Sequence, residues 1–264
     1  MKNKFYQAML MAMSLAASQT VFAVTLIETK QADGSIEKTY VDNSKIRVDT
    51  SSEPGYALID GNKGTMLFVS HEERKIIDMS YTMEGAEPSA LSEYQIEFVN
   101  KGKGPTILGY ATRHFEIRVN GKKCAEEFTS TDMPKALGIQ ETFEKIVTMI
   151  SDPEIEMMPG MDVCMVADEK SSELYVEYGY PMRSLDAHGK LESEVIRIEK
   201  NAAMPKGGFT TPKDYQLVNM EDMMKGMQDM MKMSPEQMQN MSPEQQQQMQ
   251  QMMDNIMQQM QQPQ

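Results

Sequence analysis

Ser35-Ile36-Glu37-Lys38-Thr39-Tyr40-Val41-Asp42-Asn43-Ser44-Lys45-Ile46-Arg47-Val48-Asp49 holds two short runs of alternating polar and apolar side chains, separated by Asp42-Asn43. Alternation with a period of two is the mark of a strand with unlike faces, and Asp and Asn favour turns, so the stretch predicts a β-hairpin. The pattern extends in both directions. Thr25-Leu26-Ile27-Glu28-Thr29 precedes it across Asp33-Gly34. Tyr56-Ala57-Leu58-Ile59-Asp60, Gly64-Thr65-Met66-Leu67-Phe68-Val69 and Lys75-Ile76-Ile77-Asp78-Met79 follow, with Pro54-Gly55 and Asp60-Gly61-Asn62 as breaks. Residues 24–79 therefore read as an antiparallel meander and not as a βαβ series.

Residues 88–99 fit two descriptions, a helix capped by Ser89 or a strand in which Tyr94, Ile96 and Phe98 alternate. After the Gly/Lys turn at 101–105, the runs Ile107 to Val119 and Cys124 to Thr129 predict a hairpin closed at Asn120-Gly121. Asp132 and Pro134 then open a helix whose apolar residues Ile139, Phe143, Ile146, Val147 and Ile150 share one face, and Asp152-Pro153 ends it. A connection rich in methionine, Glu156 to Met161, leads to strands at 174–178, 181–185 and 194–198. Sheet on both sides of one helix predicts an α+β fold over residues 24–216: a curved antiparallel sheet packed on a helix.

Composition narrows the partners. There are 39 acidic against 26 basic residues and a formal charge of −13, which argues against nucleic acid and against electrostatic docking on anionic membranes. Residues 1–23 carry Lys2 and Lys4, a short apolar run from Ala8 to Ala17, and Val21-Phe22-Ala23, the order expected of a secretory signal peptide cleaved after Ala23. Cleavage leaves a charge of −15. No cysteine follows the cut, so a lipoprotein anchor is unsupported, and no second long apolar segment offers a membrane span. The expected location is the periplasm or the cell exterior. In that oxidising setting the pair Cys124 and Cys164 favours a disulfide, with two separate thiols as the alternative. Neither cysteine has a Cys or His two to four residues away to make a metal site.

Methionine is in excess: 29 residues, of which 14 lie between Met220 and Met260 in a Met/Gln-rich tail, residues 217–264. Met220, Met223, Met224, Met227, Met230 and Met231 keep helical spacing. Met233-Ser234-Pro235-Glu236-Gln237 and Met241-Ser242-Pro243-Glu244-Gln245 each resemble a helix restart, with a Ser cap, Pro at the first turn and Glu at the positive end of the dipole. Three readings stand for this tail. Its stripe packs on protein, as an amphipathic helix against its own domain, a copy of itself or a partner; or soft thioethers hold Cu(I), with Met223, Met224, Met227, Met230 and Met231 as the first cluster; or the segment is disordered.

Catalytic signatures are missing from the sequence. No nucleophile elbow, phosphate loop, dinucleotide fingerprint or zinc-protease helix is present, and His71-Glu72-Glu73 lacks the second histidine of the last. His71, His114 and His188 read as ordinary histidines, so the expectation is a protein that is not an enzyme and needs no cofactor.

The opening strands, Ile107-Leu108-Gly109-Tyr110, Gly179-Tyr180-Pro181-Met182 and Gly208-Phe209-Thr210-Thr211-Pro212-Lys213-Asp214-Tyr215 resemble, in that order, a secreted bacterial domain-of-unknown-function family related to the outer-membrane lipoprotein carrier superfamily. Members often place a cysteine just after the Gly-Tyr pair. Here Thr112 stands near that place, Cys124 is displaced, and Phe128 stands for the aromatic of the next strand. The resemblance implies a half-barrel with a helix over its mouth, enclosing an apolar cavity that accepts acyl chains, and it brings no catalytic residues. On this reading Phe68, Ile107, Phe115, Ile117, Phe143, Ile146 and Val147 line the cavity around a hydrophobic or lipid-like ligand.

Overall fold

The computed structural model describes residues 23–51, 54–80, 94–150, 163–164 and 174–219. The meander forms as the alternation predicts: β1 (Ala23–Gln31), β2 (Ile36–Asp42), β3 (Lys45–Asp49), β4 (Gly55–Asp60), β5 (Thr65–Ser70) and β6 (Lys75–Asp78). A second series follows, β7 (Ile96–Lys103), β8 (Arg113–Val119) and β9 (Lys122–Ser130). Helices α1 (Asp132–Leu137) and α2 (Gln140–Ile150) and a short helix at 174–178 precede β10 (Tyr180–Asp186), β11 (Leu191–Ala203) and β12 (Gln216–Asn219). The sheet order is β12-β6-β5-β4-β3-β2-β1-β11-β10-β9-β8-β7. Each neighbouring pair from β6 through to β7 is antiparallel.

The tight turns follow local chemistry. Asn43 (φ 50°), Asn120 (φ 51°) and Gly121 (φ 79°) all adopt the left-handed conformation that hairpin turns demand and that Asn and Gly tolerate best. Asn120 is also tied to the start of β7, since its amide donates to the Gln95 carbonyl and its side-chain oxygen accepts the Gln95 amide.

The expected α+β class is overturned. Strand accounts for 55% of the described residues and helix for 12%, in one mixed twelve-stranded sheet that does not close, with three short helices, so the fold is mostly β. Three local causes account for the difference. The two strand groups, expected on either side of a helix, are joined into one sheet by β1 pairing with β11, for example Ile27 opposite Ile198. The single expected helix breaks at Gly138 (φ 71°), a left-handed cap whose amide returns to the Lys135 carbonyl. Residues 174–178, expected as strand, are helical: Leu174 and Tyr178, four apart, both pack on the cluster around Phe115, and Gly179 (φ 94°) ends the turn. The run expected from Ile107 to Val119 is likewise divided, because Ile107 and Tyr110 bridge across a turn at Leu108-Gly109 before β8 begins at Arg113.

Cys124 of β9 is bonded to Cys164, with Cα atoms 5.1 Å apart. The bridge sits beside a core of Phe115, Ile117, Val119, Ala125 and Leu174. No helix among the described residues is long and apolar enough to cross a membrane.

Candidate functional site

The registers of β2 to β6 place apolar side chains on both faces of the meander. Directly opposed residues share a face. Thr39, Val48, Ala57, Phe68 and Ile77 form one cross-strand row, and Val41, Ile46, Ile59 and Met66 form a parallel row beside it. The opposite face carries Tyr40, Arg47, Leu58 and Leu67, with Tyr56, Val69 and Ile76.

The second face is covered by the chain returning from β11. Phe209 and Tyr215 pack on Tyr56, Leu58, Val69 and Ile76, and Met204 and Phe209 on Val24, Leu26 and Tyr40. Arg47 is the anchor of this return. Its guanidinium, buried at 6% exposure, donates to Asp49 at 2.6 Å and to the carbonyls of Gly208 at 2.9 Å and Lys206 at 3.3 Å, and lies 3.7 Å above the Tyr56 ring. A buried charge is tolerable only with such full pairing. The Tyr56 hydroxyl adds a bond to the Thr210 carbonyl at 2.9 Å.

The first face, which carries the helices, is covered unevenly. At the β1–β2 end, Ile27 and Val41 are buried under Met133 and Ile139 together with Met182 and Val195. Helix α2 crosses the hairpin ends: the Thr142 hydroxyl donates to the Asn43 carbonyl, and Gly61 leaves room for Lys145 and Ile146, where an added Cβ would lie 3.5 Å and 3.7 Å from their side chains. Farther out the side chains stay half-buried. Val48, Ala57, Ile59, Met66, Phe68 and Ile77 have intermediate exposure and belong to none of the buried clusters among the described residues.

Among the described residues the seven expected lining residues fall into separate surroundings. Phe115 and Ile117 are wholly buried in the filled core beside the disulfide, and Ile107 is buried with Phe128 and Met133. Ile146 and Val147 are buried on α2. Phe143 is half-buried, its ring centroid 5.2 Å from that of Tyr180, at the edge of a shallow cleft of about 120 Å³. Only Phe68 lies in the open apolar rows. Met223, Met224, Met227, Met230 and Met231, with the rest of the Met/Gln-rich tail from Met220 onward, lie outside the described residues, as do residues 1–22 of the expected signal peptide. Val48, Ala57, Ile59, Met66 and Ile77 were not singled out by the sequence reading. Their signal was there in the consecutive apolar pairs Ala57-Leu58 and Ile76-Ile77, since a strand apolar at adjacent positions has two faces to cover.

The polar groups form structural pairs. His71 Nδ1 lies 2.9 Å from the Tyr215 hydroxyl, and His114 stacks on Phe128 with centroids 4.4 Å apart while its Nε2 meets Glu126 at 2.7 Å. No group of three or more His, Cys, Asp or Glu among the described residues is placed to hold a metal ion. Glu116 and Glu126 face each other across β8 and β9, and each is flanked by basic side chains. Arg118 and Lys101 hold the Glu116 carboxyl below the usual carboxylate range, and Lys123 and His114 do the same for Glu126. Because folding lowers these two pKa values, their contribution to stability is complete above the ordinary glutamate range near 4.5 and is lost as pH falls through the depressed folded values. Thermal melts at pH 6, 4.5 and 3 are expected to show a decline confined to the acid side, and a Glu116→Gln/Glu126→Gln variant to show a shallower one.

No protein-family model matches the chain, and no curated protein is similar to it.

Proposed function

We propose that this is a non-enzymatic binding protein of the periplasm or cell exterior that holds a hydrophobic, lipid-like ligand against the helix face of its meander. One observation carries the reading: the cross-strand row Val48-Ala57-Phe68-Ile77, with Ile59 and Met66 beside it, stays half-buried where the neighbouring Ile27, Val41 and Ile46 pack with Met133 and Ile139. Apolar surface left accessible next to a packed core marks a place for something else to bind, and burying it yields about 25 cal/mol per Å². The ordered resemblance of the sequence to the family related to the outer-membrane lipoprotein carriers supports the same ligand class. The leader-like residues 1–23 support export, and a disulfide is compatible with an oxidising compartment.

The test is native mass spectrometry, with solvent extraction, of the full chain purified from its own host. A non-covalent adduct of lipid mass that is released into organic solvent is expected. A bare polypeptide mass together with an empty extract would count against the proposal.

A further inference from the structure

The opposite face of the meander carries a second cleft, of about 400 Å³, between the outer strands and the returning segment. That volume lies within the roughly 300–1,000 Å³ typical of small-molecule sites. Its walls are graded along the strand direction. Leu58 and Leu67, directly opposed on β4 and β5, form an apolar floor under Phe209. Two residues along each strand, toward the β4–β5 turn, the same face becomes charged and polar: Lys45 opposes Asp60, Asp60 opposes Thr65, and Lys63 stands in the turn itself. Lys213 adds a third ammonium from the returning segment.

The ammoniums at this rim outnumber its carboxylates. Lys45, Lys63 and Lys213 are exposed, and none of them forms an ion pair among the described residues. Among the described residues lining the cleft Asp60 is the carboxylate, and it is engaged in capping the turn, where Oδ1 accepts the amides of Asn62 at 3.1 Å and Lys63 at 3.2 Å. Asp42, opposite Lys45 on β2, is the second carboxylate at the rim, so three ammoniums stand against two carboxylates, on a chain whose formal charge is −13. The far end is closed to a charged group, because Arg47, opposite Leu58, is spent on Asp49 and two backbone carbonyls.

We propose that this cleft binds a long-chain carboxylate, its alkyl chain on Leu58, Leu67 and Phe209 and its head group among Lys45, Lys63 and Lys213. An apolar slot that opens on an excess of unpaired ammoniums matches a single-chain anionic amphiphile in both halves, and it disfavours a cationic one. The head-group lysines and the floor of this site lie on the opposite face of the sheet from Phe68, and of the residues used in the function proposed above it borders Ile59 alone.

The experiment uses the full chain and a fluorescent probe, dansylaminoundecanoic acid, with its methyl ester as the uncharged comparator. The titrations are made in a Phe68→Asp background, so that the helix face is disabled. Saturable binding of the acid is expected, at least tenfold tighter than the ester, weakening as salt rises. Adding Lys45→Gln, Lys63→Gln and Lys213→Gln is expected to weaken the acid at least tenfold and leave the ester unchanged. These three exposed positions allow the change without loss of fold, which an unaltered thermal melt checks. No saturable binding of the acid, equal binding of acid and ester, or a triple variant that binds the acid within twofold of its parent would each overturn the proposal. Ester binding to the wild-type chain that Phe68→Asp leaves unaltered, with this result intact, would instead remove the function proposed above and leave the cleft standing.

Discussion

Replacing both Cys124 and Cys164 by serine is expected to lower stability by about 3–4 kcal/mol, the chain-entropy value for a loop closed across a sequence separation of 40. For a domain of this size that corresponds to a fall of roughly 6–16 °C in Tm. The position of the bridge argues for an effect at the full end of this range. Cys124 is 7% exposed on β9 and joins the cluster of Phe115, Ile117, Val119, Ala125 and Leu174, against which Val163 and Cys164 pack from outside the sheet. Removing the bond frees the loop in the unfolded state and also leaves Val163 and the serine at 164 held to β9 by packing alone. Thermal melts of the wild-type chain with and without reductant, beside the double variant, check the assignment. The reduced wild type and the variant are expected to coincide below the oxidised protein. Three coincident melts would show that the bridge contributes nothing.

Much of the meander was legible because its signals are local. Asp42-Asn43 and Asn120-Gly121 each specify a turn without help from distant residues, and the period-two alternation of Ser35 to Asp49 supplies the strands they connect. The class was misread where the deciding contacts are remote in sequence. Nothing near Ile27 announces that it pairs with Ile198, and that pairing turns two expected sheets into one. Residues 174–178 carry both a period-two and an i,i+4 pattern, and burial of Leu174 and Tyr178 against Phe115 decides for helix. Gly138 is a helix stop whose local signal competes with the helical spacing of the apolar residues from Ile139.

The candidate sites divide in the same way. Phe115 and Ile117 are large, apolar and on strands, and composition alone cannot tell a cavity wall from a filled core. The structure shows both at 0% exposure, in contact with Leu174 and Tyr178. Phe68 differs from them only through its neighbours across the ladder, Ala57 and Ile77, which no described element buries. The lysine-rimmed cleft was illegible for the same reason: Lys213 and Phe209 lie more than 140 residues from Leu67 in the chain and reach it only because the segment after β11 folds back over the meander.

Phe68→Asp is expected to abolish hydrophobic ligand binding on the helix face while leaving the fold in place. Burying an aromatic side chain against a ligand is worth about 1.5–3 kcal/mol, so its loss alone weakens binding roughly 10- to 100-fold, and a carboxylate in the middle of the apolar rows adds the cost of desolvating a charge. In the free protein the cost is smaller, because Phe68 is only half-buried and the new carboxylate can remain in water. Ile77→Ser, in the same cross-strand row, provides a milder second variant with the same expected direction. The decisive measurement is a titration of an uncharged alkyl fluorophore, the dansylundecanoate methyl ester, into the wild-type full chain and both variants. Saturable binding by the wild type, weakened at least tenfold by Phe68→Asp and less by Ile77→Ser at unchanged circular dichroism, is the predicted result. Binding that is absent in the wild type, or equal in all three proteins, would contradict the assignment of the helix face as the ligand site.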